Sequence, residues 1–100
     1  MIIYNVSIKI NPEIREEWLQ WMKEVHIPDV MKTGLFHEHK MSRLLEQDEN
    51  EGVTFVIQYL CVSMESYNTY REKFALKMQQ EVRKKFEGKF VAYRTLMEEV

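Results

Sequence analysis

The chain is 100 residues long, 45% hydrophobic and 30% charged, with a formal net charge of −2. Such a size suits one domain spanning residues 1–100 around one core, and such a balance excludes both a disordered chain and a charged tail. No basic stripe gathers for a nucleic acid, no apolar run nears the roughly 20 residues that cross a bilayer, and the single cysteine, Cys61, cannot form an internal disulfide.

The opening run MIIYNVSIKI sets Ile2, Tyr4, Val6, Ile8 and Ile10 against Ile3, Asn5, Ser7 and Lys9. A period of two marks a strand with one strongly apolar face, not a signal peptide, and the expected location is the cytoplasm. Asn11 offers a capping oxygen, Pro12 suits the first helical position, and Glu13, Glu16 and Glu17 complement the start of a helix dipole. Ile14, Trp18, Trp21, Met22 and Val25 then follow at spacings of three and four, an apolar helical stripe. Pro28 has no N–H and restricts Ile27, which predicts a kink or break near Val25 to Ile27, with a short helical turn beyond it and a stop at Gly34.

Leu35 to Leu45 alternates imperfectly, as a strand with neither face fully buried. The loop QDENEG, Gln47 to Gly52, separates it from Val53 to Val62, the most β-prone run in the chain. Ser63 caps a second helix whose stripe is Tyr67, Tyr70, Phe74, Met78, Val82 and Phe86. Arg83, Lys84 and Lys85 favour the end of that helix and Gly88 closes it, leaving Lys89 to Met97 as the last strand.

The order βαββαβ specifies an α+β, ferredoxin-like fold: a four-stranded antiparallel sheet with both helices on one face. Apolar residues occupy both alternating sets of the first, third and fourth strands. The face without helices therefore needs a cover, and a second copy packed sheet to sheet provides one. A homodimer is expected.

With that order, the segment holding Trp18, Trp21, His26, Pro28, Gly34 and Phe36, and the closing KFVAYRTLM, the chain resembles the dimeric α/β-barrel group. Within it the chain is similar to a small bacterial family of unknown function. The resemblance implies a cavity between helices and sheet, in a group that includes cofactor-independent monooxygenases, haem-degrading enzymes, isomerases, decarboxylases and proteins that only bind. The haem-degrading members match at Asn5 but carry a histidine on the second helix, and Ser63 to Glu87 contains none. Members with a histidine near the end of the first helix are matched at His26.

His26 is the candidate catalytic group, because an imidazole exchanges a proton near neutral pH and a backbone break beside it would turn the ring towards the cavity. The alternative is a ring that caps carbonyls freed by the break. Asn5, Tyr59, Tyr93 and Arg94, with Tyr4, are strand residues placed to line a ligand pocket. A guanidinium at Arg94 calls for an anionic ligand, or else for an ion pair with an acid such as Glu38. His37 and His39, two apart on a strand, supply two metal ligands without a third, so no metal site is assigned. Trp18 and Trp21, one turn apart, read as core before they read as a sandwich for a planar ligand.

Two functions follow. The first is a homodimer that binds a small molecule beside His26, with or without cofactor-independent turnover, and neither cofactor, nucleic acid nor membrane is called for. The second is a dimerisation module with no turnover, marked by a cavity filled with its own side chains.

Overall fold

The computed structural model describes all residues, 1–100. Strand β1 (Ile2–Ile10) buries Ile2, Tyr4, Val6, Ile8 and Ile10 on one face, as its period of two requires. Asn11 then caps the turn that follows: the Glu13 N–H donates to its Oδ1 at 2.9 Å, and Pro12 opens a single 3-10 turn, Pro12–Ile14. That turn leads directly into α1 (Arg15–Trp21).

Pro28 does not break the helix. The backbone runs on from α1 through a π-helical segment, Met22–His26, into α2 (Ile27–Lys32), and Ile27 is helical at φ −60°, ψ −45°. The Ile27 N–H donates to the Met22 carbonyl, five residues back instead of four. A proline inside a regular helix loses one hydrogen bond and collides with the carbonyl four residues earlier. The wider π turn absorbs that conflict by resetting the bonding register just ahead of Pro28, which then sits in the first turn of α2, where a missing N–H costs little. Gly34 follows at φ +76°, the left-handed geometry that ends a helix.

Strand β2 (Glu38–Arg43) is shorter than the alternation from Leu35 to Leu45 suggests, although His37 N–H to Leu60 O and Leu44 N–H to Thr54 O extend its pairing at both ends. Strand β3 (Val53–Cys61) has the strict burial alternation of β1. Ser63 caps α3 (Met64–Tyr70), its Oγ accepting from the Ser66 N–H at 3.3 Å. A second π-helical segment, Arg71–Ala75, joins α3 to α4 (Leu76–Lys85), and no proline or glycine in it accounts for the widening. After Gly88, at φ +73°, strand β4 (Phe90–Glu98) completes the chain.

The sheet order is β2-β3-β1-β4, antiparallel throughout, which is the ferredoxin-like βαββαβ topology. Register decides the faces. Val6 pairs with Ile57 and Arg94, and Tyr4 pairs with Tyr59 and Leu96, so these residues all look towards the helices. There they meet Trp18, Met22, Ile27, Val30, Phe36, Tyr70, Met78, Val82 and Phe86 in a wholly apolar core of 20 buried residues. On the opposite face Ile3, Val56 and Leu60 are half-buried, while Val91 and Tyr93 stay 53% and 67% exposed. No helix is long and apolar enough to cross a membrane.

Candidate functional site

Strands β1, β3 and β4 form the floor of a cavity roofed by the two helical arms. Its lining includes Tyr4, Val6, Ile57, Tyr59, Ala92 and Arg94 from the sheet, and Met22, His26, Val30, Tyr70, Met78 and Gln79 from the helices. Both arms widen into π turns beside it: Met22 and His26 bound the first π segment, and Tyr70 immediately precedes the second. The space itself is small, about 30 Å³.

Three of the lining residues, Tyr4, Tyr59 and Tyr70, form an aromatic cluster with Phe36. Tyr4 faces Tyr59 across the β1–β3 pair at 6.0 Å between ring centroids, Phe36 stands 5.4 Å from Tyr59, and Tyr70 meets Phe36 edge-on at 5.0 Å. Such offset and edge-on contacts suit the ring quadrupoles and add rigidity beyond simple burial. Three phenol hydroxyls are thereby held in an apolar enclosure. Burial pushes the Tyr59 and Tyr70 phenols far above their ordinary range, and the neighbouring tyrosines push in the same direction. Tyr4 is also raised by burial, but the Arg94 guanidinium beside it works the other way. All three are protonated and available as donors at physiological pH.

His26 stacks on Trp21, with ring centroids 5.5 Å apart and planes at 30°. Burial lowers its pKa to about 4; Asp29 opposes the shift and Arg94 reinforces it. The ring is therefore neutral at pH 7. Its Nδ1 is buried without a hydrogen-bond partner, so it does not cap helix carbonyls through that atom. The Tyr59 hydroxyl is equally buried and equally unpartnered. Trp18 Nε1 is a third such atom, but Trp18 lies outside the cavity lining, packed against Phe55 at 5.2 Å.

Of the six residues marked out by the sequence, Tyr4, His26, Tyr59 and Arg94 meet at this cavity. Asn5 and Tyr93 do not. Asn5 pairs with Gln58 and Thr95, and Tyr93 with Ser7, so both stand on the opposite side of the sheet, where the Asn5 amide donates to Ser7 Oγ at 3.3 Å. Strand parity accounts for this: neighbours in a strand point to opposite faces, so Asn5 cannot share a face with Tyr4, nor Tyr93 with Arg94. An ion pair between Arg94 and Glu38 is also absent, since the two lie on opposite edge strands, separated by β1 and β3, and on opposite faces. His37 precedes β2 and His39 lines a separate groove with Lys23, Pro28 and Met41; no three His, Cys, Asp or Glu residues are grouped to hold a metal. Tyr70 and Gln79 are cavity residues that sequence reasoning missed. Tyr70 had a signal, a hydroxyl on an otherwise apolar helical stripe, whereas Gln79 had none.

The polar atoms inside the cavity thus carry no formal charge, and the one cation, Arg94, stands at its rim. The lining is largely apolar, with hydrogen-bonding groups on His26 and the tyrosines. It is poorly suited to strong base catalysis at neutral pH, because an imidazole with a pKa of about 4 is a weak proton acceptor.

Among solved structures the chain is similar to a dimeric ferredoxin-like protein from an uncultured marine organism, at 18% identity and TM-score 0.70 over 100% of this chain and 95% of that one. It is similar also to an EthD-family protein from Bacillus halodurans, at 17% identity and TM-score 0.69 with both chains covered completely. SnoaB from Streptomyces nogalater, described as a cofactor-independent oxygenase, aligns at 11% identity and TM-score 0.68 over 98% of this chain and 92% of that one. At these identities the likeness is one of fold: the ferredoxin-like fold of the dimeric α/β-barrel proteins. No curated protein matches the chain. A family model does match it, over residues 1–100, and the chain belongs to that family, the domain of unknown function DUF4286.

Proposed function

We propose that this chain acts as a cytoplasmic homodimer that holds a small, largely apolar molecule between helices and sheet. His26 Nδ1 and the Tyr59 hydroxyl are its internal polar contacts, and Arg94 guards the rim. One observation carries the reading: two residues that each bury a polar atom without a partner, His26 and Tyr59, line one cavity. Each such atom costs about 1–3 kcal/mol unless something pairs with it. A ligand polar atom would remove both penalties. Met22 and Met78, flexible side chains in the lining, give the cavity the means to enlarge around a guest. In this reading His26 serves as a hydrogen-bonding group, its weak basicity making acid/base work secondary. Asn5 and Tyr93 pass from the pocket to the dimer interface, with the exposed Val91 and the other apolar groups of the open face. The fold shared with SnoaB makes cofactor-independent oxygenation the first turnover to assay.

A second reading is favoured by the size of the space. About 30 Å³ is well short of the roughly 300–1,000 Å³ of small-molecule sites, and a dimerisation module whose cavity is filled by its own side chains fits that figure. Native mass spectrometry of freshly purified protein separates the two. The first reading expects a dimer that carries a defined adduct, released on denaturation and lost when His26→Gln and Tyr59→Phe are combined. A bare dimer that retains nothing, in wild type and variant alike, would leave the module as the answer.

A further inference from the structure

Next to the cavity lies an open groove of about 330 Å³, lined by Gln79, Arg83, Gly88, Phe90, Ala92 and Arg94. Four of these, Gln79, Phe90, Ala92 and Arg94, also line the cavity, so the two spaces share a wall and meet at the Arg94 rim. The groove holds two guanidiniums, one from the last turns of α4 and one from β4, together with the Gln79 amide, and no carboxylate lines it. Neither arginine is in an ion pair: the chain's two ion pairs are Arg43 with Glu49 and Lys89 with Glu13. The Arg94 charge reaches inward as well, acting on the ionisation of Tyr4, His26 and Tyr70. Two unpaired guanidiniums beside the mouth of an apolar cavity form an arrangement with a direction: charge outside, hydrocarbon within.

We infer that the bound molecule is an amphiphilic anion, whose carboxylate or phosphate head is gripped by Arg83 and Arg94 in the groove and whose slender apolar tail enters the cavity towards His26 and Tyr59. Guanidiniums present planar pairs of donors that match the oxygens of either head group, and charge-assisted hydrogen bonds are about twice as strong as neutral ones. The inner space, about 30 Å³, favours a slender unbranched tail over a broad ring system, and Met22 and Met78 in the lining are the flexible side chains that would shift to admit it. This inference rests on the ligand-binding reading above and adds to it the class of ligand and the direction from which it enters.

The test uses octanoate, octyl phosphate and the neutral octanamide as probes, with isothermal titration calorimetry on the full chain. Octanoate or octyl phosphate is expected to bind at least about tenfold more tightly than octanamide, and the stronger of the two identifies the head group. Arg83→Gln and Arg94→Gln should each weaken the anionic probe by about tenfold and octanamide by much less, and added salt should weaken the anion alone. Both arginines are exposed and outside ion pairs, so a far-ultraviolet spectrum and melting curve like the wild type's are expected of each variant. Equal binding of charged and neutral probes, indifferent to either substitution, would overturn the anion groove while leaving the apolar cavity in place. No binding of any probe would overturn the anion groove and the ligand-binding reading together and leave the dimerisation module.

Discussion

The buried, neutral His26 imidazole makes stability depend on pH in a calculable way. Its pKa in the fold is about 4, against 6.5 for the free side chain, with burial as the main cause. Between those two values the unfolded chain binds a proton that the folded chain refuses, so stability is fully present above pH 6.5 and falls as the pH drops towards 4. The slope is roughly 1.4 kcal/mol per pH unit, which amounts to about 2 kcal/mol between pH 7 and 5, and to about 3 kcal/mol once pH 4 is passed. Against a total stability of about 5–15 kcal/mol this is a large share, and for a chain of this length it lowers the melting temperature at pH 5 by roughly 10 °C. The assay is urea unfolding at pH 7, 6, 5 and 4.5 for the wild type and for His26→Gln. The variant cannot titrate at this position, and subtracting its curve removes the contribution of every other group. The difference should grow by about 2 kcal/mol in the variant's favour from pH 7 to 5. Parallel curves for the two proteins would show that His26 is solvated and ordinary, and the neutral, hydrogen-bonding imidazole would have to be abandoned.

Other expectations follow from packing. Trp18 is fully buried against Phe55, and Trp18→Ala should cost about 3–5 kcal/mol in chemical denaturation; a loss under 1 kcal/mol would contradict its place in the core. Light scattering should find the wild type at twice the chain mass of 12.2 kDa and the Val91→Glu, Tyr93→Glu double variant at the single mass, because the paired charges land on the open face. A wild type that stays at 12.2 kDa would refute the homodimer. Tyr59→Phe deletes a buried hydroxyl with no partner, so the ligand-free protein should hold its stability or gain about 1 kcal/mol; a loss beyond 2 kcal/mol would mean that the hydroxyl is already paired, for instance to an ordered water.

Much of this architecture is decided over short distances along the chain, and there the sequence sufficed. The period of two in β1 and β3, the Asn11 and Ser63 caps, and the glycines at positions 34 and 88 each depend on the preferences of a few adjacent residues. The element order followed from them, and with it the ferredoxin-like topology. Pro28 was the local signal that misled, because a proline announces a conflict with the helix without saying whether the backbone breaks or widens to absorb it. The site belonged to the tertiary structure. Pairing register put Arg94 beside Val6 on the helix face and sent Tyr93 and Asn5 to the other, and a slip of one residue would have exchanged them. The meeting of Tyr4, Phe36, Tyr59 and Tyr70 joins residues up to 66 positions apart, from Tyr4 to Tyr70, on three elements and a loop. The low basicity of His26 and its unpaired Nδ1 come from what surrounds the ring, and only the packed core determines that.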